Sequence, residues 1–241
     1  MKKIFCSFIS IMLIIGVSGC MKQPTEKENK ENELAMLSYL EEKYGEKFKS
    51  IEYIPAERGY NDSYNKNILI VESQDGILVN VREKLKDPGL YYDDYLNAFA
   101  SEMIDKKIDY GDIENIQFGK TYVNLSYDTD IVDLKSPDFS FVNEIKGLYV
   151  IISISGKSDE KILGELYDLY KNVESLGFKK HVFKVAFGGD YDKSKKYVTN
   201  YFRYGIQTWN QYDESINELL HTVEKNLSFE EFKNKLIVIG D

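Results

Sequence analysis

The chain has 241 residues, 43% of them hydrophobic and 29% charged, which excludes a disordered or collagen-like polymer and a polytopic membrane protein. Its formal charge of −9 argues against a nucleic-acid binder and against a polybasic grip on anionic lipid. A chain of this length buries enough surface to fold without a disulfide or a structural metal.

Residues 1–20 read MKKIFCSFISIMLIIGVSGC. Lys2 and Lys3 supply a positive start, and Ile4 to Val17 form an apolar run of 14 residues. That run is too short to cross a hydrocarbon core of ~30 Å as a helix, so it predicts a signal peptide over 1–19. It ends in Val17-Ser18-Gly19-Cys20, which resembles the lipobox of bacterial lipoproteins. The resemblance implies cleavage before Cys20 and a diacylglyceryl, palmitate-type anchor on its sulfur. Two acyl chains suffice for stable anchoring where one does not. The predicted partner is therefore a lipid bilayer, and the predicted location is the extracytoplasmic face of the cell membrane. Removal of 1–19 leaves 222 residues and lowers the bases from 31 to 29 against 40 acids, a balance of −11. The other cysteine, Cys6, lies within the leader, so the body has no thiol for catalysis, disulfides or metal binding.

Residues 20–33 are polar and charged and predict a flexible tether behind the lipidated cysteine. Over 34–48, Leu37, Leu40 and Tyr44 are spaced as one helical face. Extended runs follow at Ile51–Ile54, Ile68–Val71 and Ile77–Val81, with Asp75-Gly76 as a hairpin turn between the last two. A second helix is expected from Tyr91 to Lys107, with Tyr92, Leu96, Phe99 and Met103 inward and Asp93 and Asp94 at its positive end. Thr121–Tyr127 reads as extended and Asp138–Ile145 as short helix or irregular. Leu148–Ile154 is a near-continuous apolar strand. Ser158 is placed to cap a helix whose Ile162, Leu166, Leu169, Val173 and Leu176 step by four and three, with Gly177 at its stop. His181–Phe187 returns as a strand, which completes a βαβ unit. Helices are expected near 191–203, 213–226 and 228–236, the second carrying Ile216, Leu219, Leu220 and Val223 on one face.

The motifs that would name an enzyme are missing: no nucleophile elbow, P-loop, dinucleotide fingerprint, paired metal-binding histidines or Cys-x-x-Cys. His181 and His221 are the only histidines, and both read as surface or half-packed residues. Asp190-Tyr191-Asp192 begins like a calcium loop, but Lys195 stands where the turn glycine belongs and Tyr201 where the bidentate glutamate belongs. Asp128, Asp130 and Asp133 also lack a ring-closing glutamate. No metal, cofactor or catalytic residue is assigned. The aromatic load of 19 Tyr and 13 Phe can build a binding surface, and Tyr60, Tyr64 and Tyr91 are its candidates because they fall in a loop or at a helix edge.

Tyr39-Leu40-Glu41-Glu42-Lys43-Tyr44-Gly45-Glu46-Lys47-Phe48, the hairpin strands and Asp93-Asp94-Tyr95-Leu96 together resemble uncharacterised lipoproteins of Gram-positive bacteria. The arrangement is similar in outline to PepSY-type modules, which implies a helix-hairpin-helix unit over 34–108 with no activity or cofactor. The expected fold is α+β: that unit, then a second α/β-type unit over 109–241 with at least one βαβ crossover. The expected function is a non-catalytic binding, regulatory or sequestering module at the cell surface. Its partner would be an envelope protein, a peptide or a wall polymer, with no nucleic acid. An acidic surface facing a cationic peptide fits that role. The alternatives are a wall-directed hydrolase using a carboxylate pair and a transport-associated solute-binding lipoprotein.

Overall fold

The computed structural model describes residues 24–56, 66–84, 87, 89–110, 113, 116–125, 134, 136, 138, 140–193, 195 and 214–239. The signal and lipobox residues Val17, Ser18, Gly19 and Cys20 lie outside them, as do Tyr60, Tyr64, Asp128, Asp130 and Asp133. Two compact units divide between Asp93 and Asp94.

In the first unit, α1 (Glu26–Tyr44) is followed by β1 (Lys49–Ile54), β2 (Ile68–Glu72), β3 (Leu78–Glu83) and β4 (Tyr91–Asp93), which form one antiparallel sheet in chain order. Helix α1 starts eight residues before the apolar periodicity does. A reciprocal cap explains the early start: the Thr25 hydroxyl accepts from the Glu28 N–H while the Glu28 carboxylate accepts from the Thr25 N–H. Residues 26–33 are therefore helical rather than a tether. Met36 and Leu40 are fully buried on α1, and across β2 and β3 Leu69 faces Val81 and Val71 faces Val79, all four at 0% exposure.

The helix-hairpin-helix expectation for this unit is corrected by its sheet. Four strands replace the hairpin, and Tyr91–Asp93, expected to open a helix, is an edge strand paired with Val81–Glu83. Tyr92, expected in the core, is 46% exposed because that pairing turns it away from the buried face. The helix that follows belongs to the second unit. The turn between β2 and β3 is also longer than a two-residue Asp-Gly turn: Ser73 to Ile77 form a loop in which Ser73 Oγ accepts from the Ile77 N–H at 3.1 Å.

The second unit contains α2 (Tyr95–Asp105), β5 (Ile116–Leu125), α3 (Phe141–Glu144), β6 (Ile145–Ile154), α4 (Glu160–Ser175), β7 (His181–Gly188), β8 (Ile216–Thr222), α5 (Phe229–Lys233) and β9 (Leu236–Val238). Its strands form one mixed sheet in chain order, with β6 and β7 parallel and every other neighbour antiparallel. The βαβ unit stands where periodicity placed it. Asp159, rather than Ser158, caps α4 by accepting from the Ile162 N–H at 2.7 Å, and the Ser158 N–H donates to Glu218. Ile162, Leu166, Leu169 and Val173 of α4 pack on Val150, Ile152, Phe183 and Val185 in the main core, which α2 joins through Ala100 and Ile104 and α5 through Phe232.

The expected helix over 213–226 is instead strand β8. Ile216 and Leu219 lie on one sheet face, packed near Ile151 and Ala186, although they are three residues apart. A register shift opposite Phe187 and Gly188 inserts an extra residue between them, so a bulged strand mimics helical spacing. Gly188 makes the bulge possible. Its φ is +87°, and a Cβ there would fall 2.6 Å from the Ser215 carbonyl oxygen.

Candidate functional site

Of the three tyrosines expected to form a binding surface, Tyr91 is described, and it belongs to a packed cluster. Its ring centroid lies 5.6 Å from that of Tyr39. At the centre of this cluster the Asp93 side chain is 1% exposed. Tyr39 and Tyr44 each donate a hydroxyl to it at 2.7 Å, and Lys43 Nζ approaches it at 2.7 Å. The Lys43 ammonium also sits 5.5 Å and 4.9 Å from the Tyr39 and Tyr44 ring centres. Burial disfavours the charge on Lys43, but Asp93 outweighs it and raises the lysine above its ordinary range. Asp93 is therefore a clasp that ties α1 to β4, not the helix-terminal charge expected of it.

The open concavity of interest lies in the second unit, a pocket of about 360 Å³ lined by Asp109, Tyr110, Ile113, Glu165, Asp168, Leu169 and Asn172. Four of these come from one stripe of α4, since positions 165, 168, 169 and 172 follow the three-and-four spacing of a helical face. The rest come from the segment between α2 and β5. Ile113 and Leu169 are buried and give the floor its apolar character. Tyr110 adds the body of its ring, because its hydroxyl is engaged within the fold, 2.7 Å from Asp105 Oδ1 and 3.0 Å from Thr121 Oγ1. Burial, reinforced by Asp105, pushes this phenol far above its ordinary range, so it stays protonated.

Around that floor stand the carboxylates of Asp109, Glu165 and Asp168 and the amide of Asn172, with no basic side chain among the described lining residues. Glu165 makes a long i,i+4 approach to Lys161, at 3.9 Å, and its Oε2 is buried without a hydrogen-bond partner among the described residues. Among the described residues no three acidic or histidine side chains converge closely enough to cage a metal ion. The rim thus offers dispersed acceptors over an apolar floor. That combination suits an ammonium or guanidinium group carried on an aliphatic stem, which buries its methylenes and presents donors to the carboxylates.

The remaining sequence candidates have structural roles where they are described. Asp190 accepts from the Lys193 N–H at 3.1 Å and so closes a local turn. His221 lies on β8 opposite Lys184, not beside a helix face, and burial followed by that lysine lowers its pKa. His181 is 3% exposed. Sequence reading missed the pocket, although the polar flank of α4 at 165, 168 and 172 was visible; nothing local connects that flank to 109–113. Comparison of the chain with protein-family models, with curated proteins and with solved structures yields no match.

Proposed function

We propose that this chain is an extracytoplasmic lipoprotein, anchored to the cell membrane through Cys20, whose second unit captures cationic segments of a peptide or protein without catalysis. The anchor rests on Lys2 and Lys3, the apolar run Ile4–Val17 and the lipobox residues Val17, Ser18 and Gly19, which occur in the order a lipoprotein leader requires. The single observation that carries the binding role is the apolar pocket rimmed by Asp109, Glu165 and Asp168. A formal charge of −9 over the chain adds long-range attraction for a cationic partner.

Two measurements test this reading. Cys20→Ala should abolish lipid modification and release the protein from the membrane fraction; unchanged lipid labelling would remove the anchor from the account. A short lysine-rich peptide should bind the full chain saturably in calorimetry. Neutralising Glu165 and Asp168 together, as Glu165→Gln with Asp168→Asn, should weaken binding by about tenfold, as expected of two partly exposed ion pairs. Equal binding by the double variant would overturn the pocket assignment. A wall-directed hydrolase would draw its carboxylate pair from the same rim, and turnover of purified peptidoglycan lost in that variant would favour it instead.

A further inference from the structure

At the opposite end of α4 from its cap, the connection between β8 and α5 is tied to the helix by a compact set of polar contacts. The Tyr170 hydroxyl, on a residue with 0% exposure, lies 2.9 Å from Glu174 Oε1 and 3.1 Å from the Glu224 carbonyl oxygen. Glu174 Oε1 also accepts from the Asn226 N–H, and Tyr167 donates its hydroxyl to the Leu227 carbonyl at 2.9 Å. Lys225 donates to the Phe178 carbonyl. Asn226 adopts φ +58°, a left-handed turn that asparagine tolerates better than most residues. The connection then leads directly into α5, whose Phe232 packs 5.1 Å from the Tyr170 ring.

His181 lies against this junction. It is 3% exposed, its ring meets the Tyr170 edge at 5.7 Å, and its Nε2 is buried with no hydrogen-bond partner. The groups that face it are Tyr170 and Glu174 from α4, and the Glu224 carbonyl and the Lys225 ammonium from the connection. A neutral imidazole fits there. A protonated one would bury a second N–H without an acceptor, next to a lysine.

We propose that His181 is an acid-sensitive latch: protonating its buried ring releases the 223–228 connection, and α5 after it, from α4. Burial, then Lys225, holds the imidazole below its ordinary value near 6.5, against the weaker pull of Glu174 and the Glu224 carbonyl. The released form therefore takes up the proton first. Closure is fully favoured above the ordinary histidine value and is lost as pH falls from there through the lowered one. Glu174 is also involved: burial raises its pKa, but the donors Lys171, the Asn226 N–H and Tyr170 outweigh this and lower it, so it stays charged across the histidine window.

The test is hydrogen exchange of the Asn226 and Leu227 amides in the full chain, expressed as protection factors between about pH 8 and about pH 5. Protection should fall by up to about tenfold for each pH unit by which closure lowers the histidine pKa, while the amides of β6 and β7 keep theirs. His181→Gln, which cannot take up the proton, should show pH-independent protection over the same range. Constant protection in the wild type, or an equal acid loss in His181→Gln, would overturn the latch. Because the variant could itself loosen the junction, the wild-type imidazole is also titrated by NMR with both histidines resolved. A His181 midpoint at or above the ordinary histidine value would overturn it independently.

Discussion

The two edges of the five-stranded sheet are finished in opposite ways. Along β5, α2 supplies one polar side chain per turn to alternate backbone N–H groups of the strand. Asn97 Oδ1 accepts from Leu125 at 2.9 Å, Ser101 Oγ from Val123 at 3.0 Å and Asp105 Oδ1 from Thr121 at 2.8 Å. The match is geometric: four helical residues rise about 6 Å and two strand residues advance roughly 6.7 Å, so two elements of different period stay in step over three rungs. At the other edge, β9 is three residues long and leaves Ile237 58% and Val238 60% exposed. One edge is closed to a further strand by specific hydrogen bonds; the other is protected chiefly by being short.

That contrast can be broken from either side. The largest effect is expected for Asp105→Ala, because the same oxygen, Oδ1, serves the Thr121 N–H and the Tyr110 hydroxyl, both within the fold. Orphaning the Thr121 N–H and taking from the Tyr110 hydroxyl the nearer of its two partners should together cost about 2–4 kcal/mol in denaturant unfolding of the full chain. Ser101→Ala leaves one buried donor, the Val123 N–H, unsatisfied and should cost about 1–2 kcal/mol by the same measurement. If the two variants were equally mild, the side-chain ladder would be incidental to stability. The smallest effect is expected at the open edge: Ile237→Lys should change stability by less than about 0.5 kcal/mol, since most of that side chain already meets solvent.

Those differences follow how legible each region is in the sequence. The β6–α4–β7 core reads directly from periodicity because its strands are buried on both faces and its helix carries one continuous apolar stripe. Strand β8 was misread because its bulge puts Ile216 and Leu219 on one face at helical spacing, and only the pairing with Gly188 reveals this. The early start of α1 was signalled by Thr25 and Glu28, a capping pair that apolar periodicity overlooks in a stretch poor in apolar residues. Strand β4 is three residues of Tyr-Tyr-Asp running into a helix, too short for its own pattern to separate them. The pocket was illegible for a different reason. Its polar rim lies on the outer flank of α4, and its other wall, Asp109, Tyr110 and Ile113, comes from a connection with no periodic pattern. Their meeting is a property of packing alone.

The pocket also separates specific capture from the general attraction of an acidic protein for any cation. The decisive measurement is residue-level mapping, by amide chemical shifts of the full chain, of where a lysine-rich peptide binds. Perturbations concentrated on 109–113 and 165–172, including the Asn172 side-chain amide, and weakened by Glu165→Gln with Asp168→Asn, are the predicted result. Perturbations spread evenly over the acidic surface, or centred away from this stripe of α4, would contradict it.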